Sequence, residues 1–141
     1  MKIAVVFWSG GGSTENMASE IAFGIKEAGA EAVVSNVGDF DVSTIGEFDK
    51  LALGCPSMGL EQLEESEFEP FFAKIEGSLR DKEVVLFGSY GWGDGAWMRD
   101  WVSRAEAAGA KVFNGEGLII NGTPDADGIE ACRALGKKFA G

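Results

Sequence analysis

Runs of apolar residues alternate along the chain with segments of helical period. The apolar runs are rich in β-branched residues, the pattern of strands buried on both faces. The strands this predicts are 3–7, 31–36, 50–54, 82–89 and 111–120, the last interrupted by glycines. Between them, apolar residues recur three or four positions apart, as in amphipathic helices. The helices this predicts are 14–28, 66–76, 96–109 and 125–140.

Five strands alternating with helices predict an α/β fold with a doubly wound parallel sheet and helices on both faces, because parallel neighbours need crossover connections. A chain of 141 residues is one domain, here 1–141. The natural strand order is 2-1-3-4-5, and ligands bind where that order reverses, beyond the ends of strands 1 and 3. The loops there are WSGGGST (8–14) and CPSMGLEQ (55–62), with SYGWGDG (89–95) beside them.

Charge and composition exclude several classes of function. A net charge of −11 argues against binding to nucleic acid or to anionic membranes, because both are bound through a surplus of lysine and arginine. The chain has no histidine, which excludes histidine-based triads, and Cys55 and Cys132 suggest neither a disulfide framework nor a zinc site. The apolar run after Met1 is shorter than a membrane span and ends in glycines where a signal peptide would continue, so we expect a cytoplasmic protein.

The loop WSGGGST suits a phosphate but fits neither common phosphate motif. Counted from Gly10, both GxxxxGK[ST] and GxGxxG require glycine where the chain has Glu15. Backbone N–H groups and the hydroxyls of Ser9, Ser13 and Thr14 at a helix N-terminus can still hold a monophosphate without lysine or magnesium. A glycine-rich turn in which Ser13 or Thr14 simply caps the helix explains the loop equally well.

The other two loops favour the ligand. Tyr90 and Trp92 lie among glycines, and a tryptophan between two glycines is not easily packed beneath a helix. Met58 lies in the loop after strand 3, where it can oppose Trp92 across a flat aromatic ring. A phosphate loop beside a flat slot indicates flavin mononucleotide, FMN.

Four stretches carry a family resemblance: WSGGGSTE (8–15), LGCPSMG (53–59), LEESEFEPFF (63–72) and LFGSYGWGDG (86–95). Through them the chain resembles the short-chain flavodoxins of anaerobic bacteria over essentially its whole length. The resemblance implies a flavodoxin-like fold and tight, non-covalent FMN binding. It also implies a soluble, low-potential one-electron carrier that shuttles between semiquinone and hydroquinone and is not an enzyme.

The resemblance also implies roles for individual residues. The loop from Ser9 to Thr14 holds the phosphate, Met58 and Trp92 sandwich the ring, and Glu61 accepts a hydrogen bond from flavin N3–H. On reduction the peptide between Gly59 and Leu60 turns its carbonyl to N5. If 58–61 forms a β-turn, the turned state is type II and gives Leu60 a positive φ. The complete set of expected FMN contacts is Ser9, Gly10, Gly11, Gly12, Ser13, Thr14, Ser57, Met58, Gly59, Leu60, Glu61, Ser89, Tyr90, Gly91, Trp92 and Asn121.

The phosphate loop departs from the usual flavodoxin pattern at two positions. Gly11 replaces a threonine and Ser13 an asparagine, so one hydroxyl is lost and an amide becomes a hydroxyl. A hydrogen bond to a charged group contributes roughly 1.5–3 kcal/mol, so uncompensated losses would weaken FMN binding about ten- to hundredfold.

Two rival functions share the fold. An FMN-dependent NAD(P)H:quinone-type reductase would need nicotinamide contacts, for which no added segment is evident. A response-regulator receiver needs an aspartate after strand 3, where this chain has Gly54, Cys55 and Pro56, so that function is rejected.

The acidic stretch 61–69 allows two interpretations. It is either a solvated helix start near the positive end of the helix dipole, or a docking rim for basic patches on redox partners. We expect a monomer whose partners are redox proteins with basic docking surfaces.

Overall fold

Six parallel strands form one sheet in the computed structural model, which describes residues 1–141. The order β2-β1-β3-β4-β5 confirms the predicted order, and β6 also pairs with β4. The strands are β1 (Lys2–Phe7), β2 (Glu31–Asn36), β3 (Lys50–Gly54), β4 (Glu83–Tyr90), β5 (Lys111–Val112) and β6 (Leu118–Asn121).

Four helices cover the two faces of the sheet, and alternate residues of each central strand face one layer or the other. Ile3 and Val5 of β1 pack in the layer of the first and last helices, whereas Ala4 and Val6 pack in the other layer. This double burial explains why the strands are apolar throughout. The helices are α1 (Ser13–Glu27), α2 (Phe68–Ile75), α3 (Ala96–Ala107) and α4 (Ala126–Ala140). None of them is long and apolar enough to cross a membrane.

The predicted fifth strand, 111–120, is wrong as a single element. Its two ends pair with β4 separately, as β5 and β6, and a short 3-10 turn over Phe113–Gly115 separates them. Asn114 and Gly115 have φ of 65° and 71°, and a strand cannot continue through that left-handed conformation. At Gly117 the side chain of Met98 occupies the space that a Cβ would fill. Gly117 therefore allows α3 to pack closely against this edge, whereas Gly115 serves the turn.

Helix α2 begins at Phe68, two residues later than predicted. The Glu64 carboxylate binds the backbone N–H groups at and just before this start. Its oxygens accept hydrogen bonds from the backbone N–H groups of Ser66, Glu67 and Phe68 at 2.8–2.9 Å. Pro70 lies in the first helical turn, where a missing N–H costs no helix bond. The loop between β3 and α2, which borders the predicted site, is thereby tied to the start of α2.

Candidate functional site

A cleft of about 360 Å³ opens at the carboxyl ends of β1, β3 and β4, where the predicted loops meet. This is the point at which the strand order reverses. The lining residues are Trp8, Ser9, Gly10, Gly11, Ser13, Thr14, Pro56, Ser57, Met58, Ser89, Tyr90, Gly91 and Gly122. The structure thus brings most of the predicted contacts into one cleft. Gly12, Gly59, Leu60, Glu61, Trp92 and Asn121 lie outside its lining.

The N-terminus of α1 carries no side-chain cap. Its N-cap is Gly12, held at φ 94° and ψ −12°, a conformation that glycine adopts without strain. The first hydrogen bond of the helix joins the Asn16 N–H to the Gly12 carbonyl at 2.9 Å. The N–H groups just before Asn16 therefore have no partner within the helix, and the positive end of the helix dipole lies at the cleft. The interpretation in which Ser13 or Thr14 caps this helix is wrong.

The hydroxyls of the loop are fixed by hydrogen bonds to different neighbours. Ser9 Oγ accepts from the Gly12 N–H at 3.0 Å, and Ser13 Oγ lies 3.1 Å from Thr123 Oγ1. Thr14 is buried, and its Oγ1 lies 2.9 Å from Ser89 Oγ. The Thr14 hydroxyl therefore joins α1 to β4, which orders the floor of the cleft as well as contributing to its lining.

The flat slot predicted between Met58 and Trp92 is only half present. Met58 lines the cleft, whereas Trp92 is 60% exposed and lies outside the lining. Its glycine neighbours, Gly91 and Gly93, carry no side chains to hold the indole over the cleft. The aromatic residues of the lining are Trp8 and Tyr90, and the Trp8 Nε1–H donates to Glu67 Oε1 at 3.3 Å.

Sequence reasoning missed Trp8, Pro56 and Gly122 as lining residues. For Trp8 the signal was available, since an aromatic side chain directly between a buried strand and a glycine loop must lie near the cleft floor. Pro56 and Gly122 give no comparable local signal. Asn121 ends β6 opposite Tyr90, one residue before the part of its loop that reaches the cleft.

The turn after Met58 closes at Gln62, one residue beyond the 58–61 turn expected for the reduced state. Met58 and Gln62 form an antiparallel bridge with N–H to O distances of 2.8 and 2.9 Å, which leaves 59–61 as the turn. The positive φ values fall on Gly59 and Glu61, both 53°, and not on Leu60. The β-turn over 58–61 is therefore not formed in this structure, and backbone strain is located at Glu61.

The Glu61 carboxylate compensates for that strain by binding the next loop. Its oxygens accept hydrogen bonds from the N–H groups of Asp94 and Trp97, each at 3.2 Å. The carboxylate thus covers the N-terminus of α3 and joins the 58–62 turn to the loop after β4. It also occupies the space over Gly93 that any side chain there would fill.

The remaining glutamates of the stretch 61–69 form hydrogen bonds or ion pairs within the protein. Burial would raise the pKa of Glu64, but hydrogen bonds from Ser66, Phe68 and Glu67 outweigh it and hold that pKa below its ordinary value. Glu69 forms two hydrogen bonds of 2.7 Å to Arg104. The carboxylates of Glu65 and Glu67 have neither a backbone nor a cationic partner, since the first accepts only from the Gln62 amide and the second only from the Trp8 indole. Most of this acidity therefore has a structural role.

Thiol chemistry has no place in this cleft. Cys55 and Cys132 are free and buried, and desolvation raises the pKa of each thiol to about 12. Both stay protonated at neutral pH, and a protonated thiol is neither a nucleophile nor a metal ligand. No group of three or more acidic or cysteine side chains lies close enough together to hold a metal ion.

The cleft fits FMN by its size and its donors. Ligand sites commonly measure about 300–1,000 Å³, and this one holds about 360 Å³. Its lining includes no lysine or arginine, so a phosphate must be held by hydroxyls, amides and the α1 dipole. Cβ atoms added at Gly11 or Gly91 would contact nothing within 4 Å, so these glycines leave the cradle open.

A larger groove of about 610 Å³ between α3 and 115–119 shares no residue with this cleft. It lies beside the edge strand and away from the converging strand ends. Its walls contain Arg99, Glu106 and Glu116, and the helix N-terminus that it includes, that of α3 at Gly95, is already covered by the Glu61 carboxylate, which accepts from the Trp97 N–H at 3.2 Å. The smaller cleft is therefore the candidate cofactor site.

Comparisons with known proteins agree with this geometry. The family model described as flavodoxin matches residues 5–136. The flavodoxin of Clostridium beijerinckii is 47% identical over 96% of this chain and 97% of its own length, and that of Megasphaera elsdenii is 44% identical over 98% of both. The solution structure of two-electron reduced Megasphaera elsdenii flavodoxin superposes with a TM-score of 0.89 over 98% of both chains. This chain therefore belongs to the flavodoxin family, whose members bind FMN and carry electrons.

Proposed function

We propose that the protein is a cytoplasmic, monomeric electron carrier that passes single electrons between redox proteins with basic docking surfaces and has no enzymatic activity of its own. The observation that carries this proposal is the cleft at the strand ends, where an uncapped helix N-terminus and neutral hydroxyls lie beside an apolar wall. FMN bound there supplies the redox chemistry, because it takes up electrons one at a time.

The lining residues form two subsites, one for the phosphate of FMN and one for its ring. The unpaired N–H groups at the start of α1, with the hydroxyls of Ser9 and Ser13, suit the phosphate. Met58 and Trp8 offer the apolar contact that an aromatic ring needs. The division explains how the site retains a charged ligand without a cationic side chain.

The mouth of the cleft suits electron transfer by direct contact with a partner. Leu60 is 87% exposed and Trp92 60% exposed, and Met58 is partly exposed beside them. Large apolar side chains exposed together mark a contact surface more often than an accident of packing. A partner that covers them would approach the cofactor without any opening of the fold.

The negative net charge of the chain supports a basic redox partner and a low reduction potential of the bound FMN. The chain carries a net charge of −11, so a basic protein is attracted over long distance. The same negative field opposes further negative charge on the cofactor, which makes its full reduction less favourable. Both effects weaken as salt screens the charges.

Removing the charge of Glu65 is expected to slow electron transfer to a basic acceptor protein about two- to threefold at low salt, because that carboxylate is exposed and bonded to Gln62 of the 58–62 turn. The measurement is the second-order rate constant of Glu65→Gln against salt concentration. Glu27→Gln is the control, since Glu27 ends α1 at the far side of the helix from the cleft. Equal rates for the wild type and both variants at every salt concentration would contradict a docking role for this rim.

The reductase alternative is tested by turnover. We expect the FMN-loaded protein to show no steady-state NAD(P)H oxidation with a quinone acceptor, because no described feature supplies a nicotinamide site. Sustained turnover above that of free FMN would replace the carrier function by a reductase.

A further inference from the structure

Thr123 lies far from the phosphate loop in sequence but touches it in the fold. Its Oγ1 lies 3.1 Å from Ser13 Oγ, a contact that spans 110 residues. Ser13 is the first residue of α1 and lines the cleft, as does Gly122, the neighbour of Thr123. The loop after β6 therefore borders the end of the cleft at which α1 begins.

The position of Thr123 is fixed from both ends of its short loop. On one side the Gly122 N–H donates to the Tyr90 carbonyl at 2.9 Å, with Gly122 at φ 70°. On the other side Pro124 is buried, and the Asp125 carboxylate accepts from the Gly128 N–H at 2.9 Å to cap α4. Thr123 itself is exposed and has no other hydrogen bond within the protein. Its hydroxyl is therefore held at Ser13 by the backbone on either side.

Counting protons shows what this pair offers an anion. Two hydroxyls that share one hydrogen bond use one O–H as donor and leave the other free. Thr14 and Ser89 form a second such pair, but both side chains are buried in the floor of the cleft. With no cationic side chain in the lining, a free O–H at the start of α1 is a significant part of the donor set.

We propose that Thr123 is a phosphate-subsite residue: its hydroxyl and that of Ser13 act as one unit, in which one donates to the other and the remaining O–H donates to the phosphate of FMN. The unit makes the cleft select phosphorylated flavin over riboflavin. The inference rests on FMN binding in this cleft and adds a residue from a loop outside the glycine-rich segment.

The test is a comparison of dissociation constants for FMN and riboflavin, measured by quenching of flavin fluorescence. Thr123→Val keeps the shape of the side chain and removes the hydroxyl, so the FMN constant is expected to rise about tenfold while the riboflavin constant changes less than about twofold. Thr123→Ser restores a hydroxyl and is expected to recover most of the FMN affinity. A merely structural role would affect both ligands alike.

A double-mutant cycle tests whether the two hydroxyls act together. Ser13→Ala is expected to weaken FMN binding, and adding Thr123→Val is expected to add little, because the unit is already broken. Equal losses for FMN and riboflavin, no loss in Thr123→Val, or fully additive losses would each overturn the proposal. Failure of the wild-type protein to bind FMN at all would overturn the cofactor assignment itself and this proposal with it.

Discussion

Gly88→Ala is expected to lower the free energy of unfolding by about 3 kcal/mol and to weaken FMN binding at least about tenfold. A Cβ at this position of β4 would overlap the carbonyl oxygen of Cys55 and press on the ring of Trp97. That carbonyl accepts the Trp97 Nε1–H at 3.2 Å, and the chain after it forms the cleft wall at Pro56 and Ser57. Alanine must therefore displace the wall together with the core beneath it.

Gly77→Ala is the matched control for this substitution. A Cβ there would contact nothing within 4 Å, and Gly77 has no positive φ. We expect its unfolding free energy and FMN affinity to match the wild type within about 0.5 kcal/mol. Chemical denaturation and flavin titration give both quantities. If Gly88→Ala bound FMN as tightly as Gly77→Ala, the contact between β4 and Cys55 would not set the cleft wall.

Glu64→Ala is expected to cost about 3 kcal/mol of stability, because it leaves the N–H groups of Ser66, Glu67 and Phe68 without their shared acceptor. The Glu64 side chain is buried, so water replaces the carboxylate only if the loop opens. The same loop carries Met58 and the 58–62 turn. Glu64→Gln keeps one acceptor oxygen and is expected to cost less, about 1–2 kcal/mol.

The pH dependence of Glu64 follows from the direction of its pKa shift. A folded-state pKa below the ordinary 4.5 means that the carboxylate adds stability above that pH and loses it as the pH falls through the lowered pKa. The stability difference between the wild type and Glu64→Gln is therefore expected to shrink at acid pH. Glu130→Gln, at an exposed position without hydrogen bonds, is the control. A difference that stays constant from pH 7 to about pH 3 would contradict the assigned role.

The periodicity of the sequence was sufficient for the sheet, because the core strands are buried on both faces and leave continuous apolar runs. The strand order came from the general rule for doubly wound sheets and not from the periodicity. It failed at the fifth strand, where two apolar runs interrupted by Gly115 and Gly117 were predicted as one element. The Asn114-Gly115 pair is itself a local turn signal and marks the break, whereas the approach of Met98 to Gly117 is contained in no local pattern.

The site shows the same division between local and long-range information. The sequence left the capping of α1 open between two interpretations, whereas the cleft position follows from the strand order. The hydroxyl pair of Ser13 and Thr123 joins two loops that are 110 residues apart in the sequence, so no spacing rule reveals it. The exposure of Trp92 likewise depends on what packs against its loop and not on its glycine neighbours alone.

Stepwise reduction of the FMN-loaded protein, followed by its absorption spectrum, tests the central claim most directly. A one-electron carrier is expected to turn from yellow to blue as the first electron enters, and then to lose the blue colour at a distinctly lower potential. Direct bleaching in a single two-electron step, or a preparation that binds no FMN, would contradict the account.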